Sequence, residues 1–215
     1  MTHLIITRHG QSIANAQKRF AGHSDFDLSE TGKLQAELAG EYISRNFKID
    51  TIYSSDLLRA YNTAVPTAKL LGLEIIPTTE LREIFAGDWE GMTTDEIAVV
   101  YQKDFDTWKN DYAFSRCTGG ESTAEVYRRV IKTVTRLAEE NDGKTIMLST
   151  HATLVRAIQA YSMGLDETQV GEIPFTHNAS INTFTYENGK LMPDKINITE
   201  HLGENVTGVH WSFSK

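Results

Sequence analysis

Few covalent or conformational breaks are available to this chain. It has one cysteine, Cys117, so no internal disulfide can form, which fits a reducing compartment. Prolines number only four, and there is no low-complexity run, repeat or linker, so neither a solenoid nor a chain of tethered modules is expected. No segment approaches the roughly 20 apolar residues that cross a bilayer. The N-terminal apolar run is only Leu4, Ile5 and Ile6 and gives way at once to Thr7 and Arg8, so no signal peptide and no membrane partner are expected. Basic excess is missing as well. The formal net charge is −8, which argues against nucleic acid as a partner. Any phosphorylated ligand would then need positive charge concentrated locally, because the overall field repels it.

What is present suits one domain spanning residues 1–215. Hydrophobic residues make up 40 % of the chain, enough for a substantial core. Apparent strands and helices alternate, which predicts an α/β three-layer sandwich with a mainly parallel central sheet flanked by helices. Strands are expected at 4–6, 49–53, 74–77 (an edge), 144–149, 181–186 and 190–198, the last two joined by an Asn188-Gly189 turn. Ser29 can cap a helix with Leu34, Leu38, Tyr42 and Ile43 on one face. Asp56 can cap the next, which runs to Leu71 with Gly72 as its stop and should be kinked or divided at Pro66. Ser122 and Glu125 form a capping-box pattern that opens a long helix through Val126, Val130, Val134 and Leu137. From about 82 to 120 the rhythm fails, and two short helices at 94–101 and 105–112 suggest an excursion over the sheet edge where ligands bind in such folds. Phe85, Trp89, Trp108 and Phe114 could line an apolar pocket there or simply pack the excursion onto the core. The last dozen residues carry no readable signal.

The stretch Thr7-Arg8-His9-Gly10-Gln11-Ser12 turns abruptly polar after the first strand and leads into a helix start at Ala14. Backbone N–H groups at such a turn, with the planar donor fork of Arg8, make an anion site. His9 is the one group there that can act as a nucleophile near neutral pH without special activation. A second histidine, His151, ends another strand–turn–helix unit. In a parallel sheet the two strand ends share an edge.

Arg8-His9-Gly10-Gln11-Ser12 after an N-terminal strand resembles the signature of the histidine phosphatase superfamily, the phosphoglycerate mutase-like proteins. Further blocks resemble the family in order: Asn15; Asp27-Leu28-Ser29-Glu30-Thr31-Gly32; Ser54-Ser55-Asp56-Leu57-Leu58-Arg59-Ala60; Leu81-Arg82-Glu83-Ile84 with Gly87-Asp88-Trp89-Glu90-Gly91; Gly120-Glu121-Ser122; and Ser149-Thr150-His151-Ala152. The resemblance implies that His9 is the nucleophile, that Arg8, Arg59 and His151 contact the phosphoryl oxygens, and that Glu83 is the general acid and base. Asp88 and Glu90 are weaker candidates for that last role. To donate near pH 7, the Glu83 carboxyl has to keep its proton there, through partial burial or the nearby phosphate. Gln11, Ser12, Asn15, Ala21, Gly22 and Ala152 are the further substrate contacts it suggests. Ala152 departs from the pattern, which commonly has glycine after the second histidine. A helix-starting backbone would accept the methyl group, so activity should survive.

No metal or other cofactor is expected. His3, His23, His177, His201 and His210 lack ligand spacing, and the phosphohistidine route needs none. Cys117, among Arg116, Thr118 and Gly119, reads as an incidental loop residue more readily than as a nucleophile. The expected activity is hydrolysis of a small phosphorylated metabolite in the cytoplasm. A mutase and a non-catalytic phosphate-ester-binding module are the alternatives. Mutases of this family carry a longer stretch after the acidic block and a longer tail, and a short lid admits water. The presence of His9, Arg59, Glu83 and His151 together disfavours a mere binder. The excursion's aromatics suggest an organic group larger than glycerate. Monomer and homodimer both remain open.

Overall fold

The first strand, β1 (Thr2–Arg8), pairs on both sides. On one side lies β4 (Thr145–Thr150), parallel, and beyond it β2 (Thr51–Ser54) and β3 (Ile75–Pro77), also parallel. On the other side β5 (Ile181–Glu187) runs antiparallel and is followed by β6 (Lys190–Ile198) through the Asn188-Gly189 turn. The order across the six-stranded sheet is β3-β2-β4-β1-β5-β6. This computed structural model describes residues 1–208; of the uninformative last dozen, 209–215 lie outside the described residues.

Period-two alternation in the central strands dictates the layers. Leu4, Ile6, Ile146 and Leu148 face α6 (Thr123–Glu140) and α7 (Ala152–Ser162), where Val126, Val130, Val134, Leu154 and Ile158 meet them. Ile5 and Met147 face the opposite side, against Ile43 of α2 (Glu30–Asn46) and Ala64 of α3 (Leu58–Leu71). Among the described residues no helix is long and apolar enough to cross a membrane.

Ser29 caps α2 by accepting from the Gly32 N–H. The buried face of α2, however, is Ala36, Ala39, Gly40 and Ile43, while Leu34 is exposed. Small residues let α2 and α3 approach closely, since a methyl group at Gly40 would lie 2.7 Å from the Pro66 Cβ. The helix α3 continues through Pro66 undivided, contrary to expectation. Asp56 does not cap α3. The capping position is Leu57, with no side-chain bond, and Asp56 instead pairs with Arg82 at 2.5 Å, which holds its carboxyl below the usual range. Gly72 ends the helix at φ 67°, in the left-handed region.

After β3 the excursion contains α4 (Thr94–Val100) and α5 (Gln102–Asn110) between short 3-10 turns. The four-residue α1 (Ile13–Ala16) follows β1, closed by a reciprocal cap between Ser12 and Asn15. In α6 the predicted capping box is formed in both directions: Ser122 Oγ accepts from the Glu125 N–H at 3.2 Å, and the Glu125 carboxylate accepts from the Ser122 N–H at 2.8 Å. Ser122→Ala should therefore cost about 1 kcal/mol and lower the thermal midpoint by about 2–4 °C in an unfolding scan; an unchanged midpoint would show that the cap contributes nothing.

Candidate active site

Strand register assembles the site. Arg8 pairs with Thr150 across β1 and β4, and Ser54 pairs with Ser149 across β2 and β4. The next residue of each strand, His9, His151 and Ser55, leaves the same edge. The His9 N–H donates to the Thr150 carbonyl at 2.8 Å, and the Ser55 N–H to the Ser149 carbonyl at 2.9 Å. The imidazole centroids of His9 and His151 are 5.1 Å apart.

His9 Nδ1 lies 2.7 Å from the Gly10 carbonyl. A carbonyl only accepts, so Nδ1 carries the hydrogen and Nε2 keeps its lone pair. The His9 main-chain carbonyl is itself held by Asn178 Nδ2 and the Ala179 N–H, each at 3.1 Å. Gly10 is required for close approach, because a side chain there would meet the Gly32 carbonyl at 2.6 Å. Burial, then the charges of Arg59 and Arg8, push His9 well below the ordinary imidazole range. His151 is displaced the same way, by burial first and Arg59 second. Both rings are neutral at neutral pH.

Arg8 and Arg59 are buried, and their partners are neutral. Arg8 Nη1 donates to the carbonyls of Thr176 and Gly208, the latter at 2.9 Å. Arg59 donates to the carbonyls of Gly22 at 2.7 Å and Ser24 at 3.0 Å. Among the described residues neither guanidinium has a carboxylate within 4.0 Å, and the buried Nε of each has no hydrogen-bond partner. Burial lowers each from 12.5 to about 10, which leaves both cationic at neutral pH. The loop carrying the Gly22 and Ser24 carbonyls is fastened by Glu90, which accepts from the His23 N–H at 2.7 Å and from the Ser24 hydroxyl at 2.8 Å. Glu90 is thus a clamp, and Asp88 is exposed to solvent.

Glu83 is half-buried at the start of the excursion. Its Oε1 accepts from the Ile84 N–H at 2.9 Å, and its carbonyl accepts from His23 Nε2 at 2.9 Å. Arg129 bonds the Arg82 carbonyl at 3.0 Å and is paired with Glu121 at 2.9 Å, which gives the Gly120-Glu121-Ser122 block a supporting part.

One cleft is lined by Arg8, His9, Arg59 and Glu83, and also by Asn15, Ala21, Gly22 and Ala152. His151 sits fully buried against His9. Gln11 and Ser12 do not line this cleft, contrary to expectation. Ser12 Oγ caps α1, accepting from the Asn15 N–H at 3.1 Å, and the Gln11 carboxamide accepts from the Ser29 hydroxyl at 2.8 Å. The Asn15 carboxamide oxygen takes the Ser12 N–H at 3.1 Å and Asn178 Nδ2 at 3.3 Å, so the NH2 end is left for a ligand. Ala152 opens α7 in ordinary helical backbone, which accepts its methyl group.

Sequence reasoning missed Arg19, Phe20, Ile84, Thr153 and Phe175, which complete the walls. Of the four excursion aromatics only Trp108 reaches the cleft. Trp89 is fully buried with its indole N–H on Thr118 Oγ1 at 3.0 Å, whereas Phe85 and Phe114 are exposed. Trp89, Trp108 and Phe20 meet edge to face, with centroids 5.2 to 5.8 Å apart, and pin the excursion to the core. Cys117 is buried in that core and its thiol is pushed up by burial, which removes it as a nucleophile. Among the described residues no group of three or more His, Cys, Asp or Glu side chains is placed to hold a metal; His210 lies outside them.

The sequence model of the histidine phosphatase superfamily (branch 1) matches residues 4–199. Phosphoserine phosphatase 1 of Hydrogenobacter thermophilus is 35 % identical over 210 residues, 98 % of this chain and 99 % of that protein. Among solved structures, Bacillus stearothermophilus YhfR superposes with a TM-score of 0.89 at 26 % identity, covering 94 % of this chain and all of that one. A mycobacterial glucosyl-3-phosphoglycerate phosphatase complexed with VO3 has a TM-score of 0.84 at 30 % identity, covering 92 % and 99 %.

Because burial and neighbouring cations penalise the imidazolium form, the carbon-bound proton resonances of His9 and His151 should show no protonation at about pH 6, where a free imidazole with a pKa of about 6.5 is largely charged. A midpoint near the free value for either ring would contradict the neutral site.

Proposed function

The chain belongs to the histidine phosphatase superfamily, branch 1, and from that premise we propose that it hydrolyses a small phosphorylated metabolite through a phosphohistidine formed on His9. The observation that carries this reading is the His9 ring: neutral, with Nδ1 committed to the Gly10 carbonyl and Nε2 left as a lone pair at a cleft lined by two unneutralised guanidinium groups. Nε2 attacks phosphorus, the ester P–O bond breaks, and Glu83 gives its proton to the departing alkoxide. The Glu83 carboxylate then takes a proton from water, the water oxygen attacks phosphorus, and the P–N bond breaks to release inorganic phosphate and restore His9. Arg8, Arg59 and His151 stabilise the equatorial oxygens through both transfers, and Asn15 adds a donor. Relatives named phosphoserine phosphatase and glucosyl-3-phosphoglycerate phosphatase support a small phosphorylated metabolite as the substrate class. The apolar walls from Phe20, Ile84, Trp108 and Phe175 favour an organic part with an apolar face. A cytoplasmic setting accords with the lone, buried Cys117.

Hydrolysis of an aryl phosphate in excess chelator tests the route. Activity should persist with chelator and vanish in His9→Ala, and equal activity in both proteins would remove His9 as the nucleophile. Glu83→Gln should lower kcat by about 10²–10⁴-fold, with the larger loss on an alkyl phosphate, whose leaving group needs the proton most. Equal losses on alkyl and nitrophenyl esters would show that Glu83 does not protonate the leaving group.

A further inference from the structure

Ser55 is a residue of the site that neither the motif reading nor the proposed reaction uses. It is fully buried at the residue after β2, and its Oγ lies 2.9 Å from His151 Nε2. The Leu57 N–H donates to the same oxygen at 3.3 Å. Two proton arrangements fit these distances. If His151 Nε2–H donates to Ser55, the hydroxyl hydrogen finds no acceptor among the described residues. Nδ1 then becomes a second unpaired group, a buried lone pair without a donor. If the Ser55 hydroxyl donates to Nε2, its oxygen accepts from Leu57 and only the Nδ1–H is unpaired. Leaving one buried polar group unpaired costs less than leaving two, so the second arrangement prevails.

The choice bears on the chemistry because a neutral imidazole has one N–H to offer. His151 enters the reaction neutral, held so by burial and by Arg59. With Nε2 taken by Ser55, Nδ1 is the only ring nitrogen left, on a ring 5.1 Å from that of His9. A lone pair there would repel a phosphoryl oxygen, whereas an N–H would bind it. We propose that Ser55 is a positioning residue whose hydroxyl fixes His151 as the Nδ1–H tautomer, so that the ring presents a donor to the transferring phosphoryl group. This rests on the reading of His9 as the phosphoryl acceptor. Strand register supplies the geometry, since the Ser54–Ser149 pairing sets Ser55 beside the residue that precedes His151.

Nitrogen-resolved NMR of the imidazoles, with and without inorganic phosphate, reads the tautomer directly. Wild-type His151 should carry its proton on Nδ1. In Ser55→Ala the ring should become mixed or shift to Nε2–H, and kcat on an aryl phosphate should fall about tenfold or more, since a donor to developing charge is lost. KM should change by less than about threefold, and Ser55→Thr, which keeps the hydroxyl, should recover most of the loss. Ser55→Cys, a weaker donor of similar size, replaces the alanine variant if that fails to fold. An Nε2–H tautomer in the wild type overturns the proposal, as does an unchanged tautomer or an unchanged kcat in Ser55→Ala. A wild-type protein with no hydrolytic activity would instead overturn the phosphatase reading, while the wild-type spectrum still decides the part played by Ser55.

Discussion

Two guanidinium groups are buried at one edge of a sheet, with backbone carbonyls as their hydrogen-bond partners and no carboxylate within ion-pair distance among the described residues. Removing a charge from water costs several kcal/mol after relaxation, and here carbonyl dipoles offset only part of it. Much of the surrounding chain is arranged to supply those dipoles. Thr176 and Gly208 reach Arg8 from late in the sequence, and the loop through Gly22 and Ser24 reaches Arg59. Glu90, which reads from sequence as a possible acid, is spent on holding that loop. Ion pairs such as Arg116–Glu125 and Arg136–Glu140 lie at the surface, Asp56–Arg82 and Arg129–Glu121 are half-buried, and none of these uses Arg8 or Arg59. A chain with a net charge of −8 thereby keeps one local concentration of positive charge that an incoming phosphate can complete.

The sheet converts sequence distance into proximity by register. His9 and His151 are far apart in the chain, yet each is the first residue beyond a strand, and the two strands end level because Arg8 pairs with Thr150. Ser55 joins them through the neighbouring pairing. A one-residue slip would turn alternate side chains to the other face. The slip is resisted because Leu4 and Ile6 belong to one core layer and Ile5 to the other. Core packing and site geometry are therefore one constraint: the apolar alternation that holds β1 in place also aims His9.

Features written in contiguous residues were legible. The Ser122–Glu125 box, the Asn188-Gly189 turn, Gly72 as a helix stop and the strand-end positions of both histidines depend on local backbone chemistry, and the structure has them. Choices among non-local partners were not legible. Asp56 reads as a cap, but it lies one residue before the capping position at Leu57 and pairs with Arg82. Ser12 and Gln11 sit inside the motif, yet a helix start and Ser29 claim their side chains. Leu34 fits the apolar stripe of α2 by spacing, although the close packing with α3 selects the small residues beside it. Of the two places open to Trp89, the 3-10 turn at Gly87–Trp89 gives it the core, while Phe175, which carried no sequence signal, stacks on Arg156 at the cleft wall, with 4.4 Å between the guanidinium carbon and the ring centroid. Asn178, which bonds the His9 carbonyl, carried no sequence signal, being a lone asparagine in an irregular segment.

The same burial has opposite consequences for the two kinds of base at the site, and the difference lies in where each starts. Desolvation disfavours the charged form of both. A guanidinium starting at 12.5 arrives at about 10 and stays cationic. An imidazole starting at 6.5 is driven below it and becomes neutral. One dry pocket thus holds fixed positive charge and a neutral ring nitrogen together, the combination that attack on a phosphate dianion requires, without a separate device for each. Lysine would not serve in place of either arginine. It starts near 10.4, so an equal displacement would bring it close to neutral pH, where its charge would depend on conditions. It would also lose the planar guanidinium that holds two carbonyls at each position. Arginine at positions 8 and 59 thus keeps its charge under this burial, and the same burial further disfavours protonation of His9.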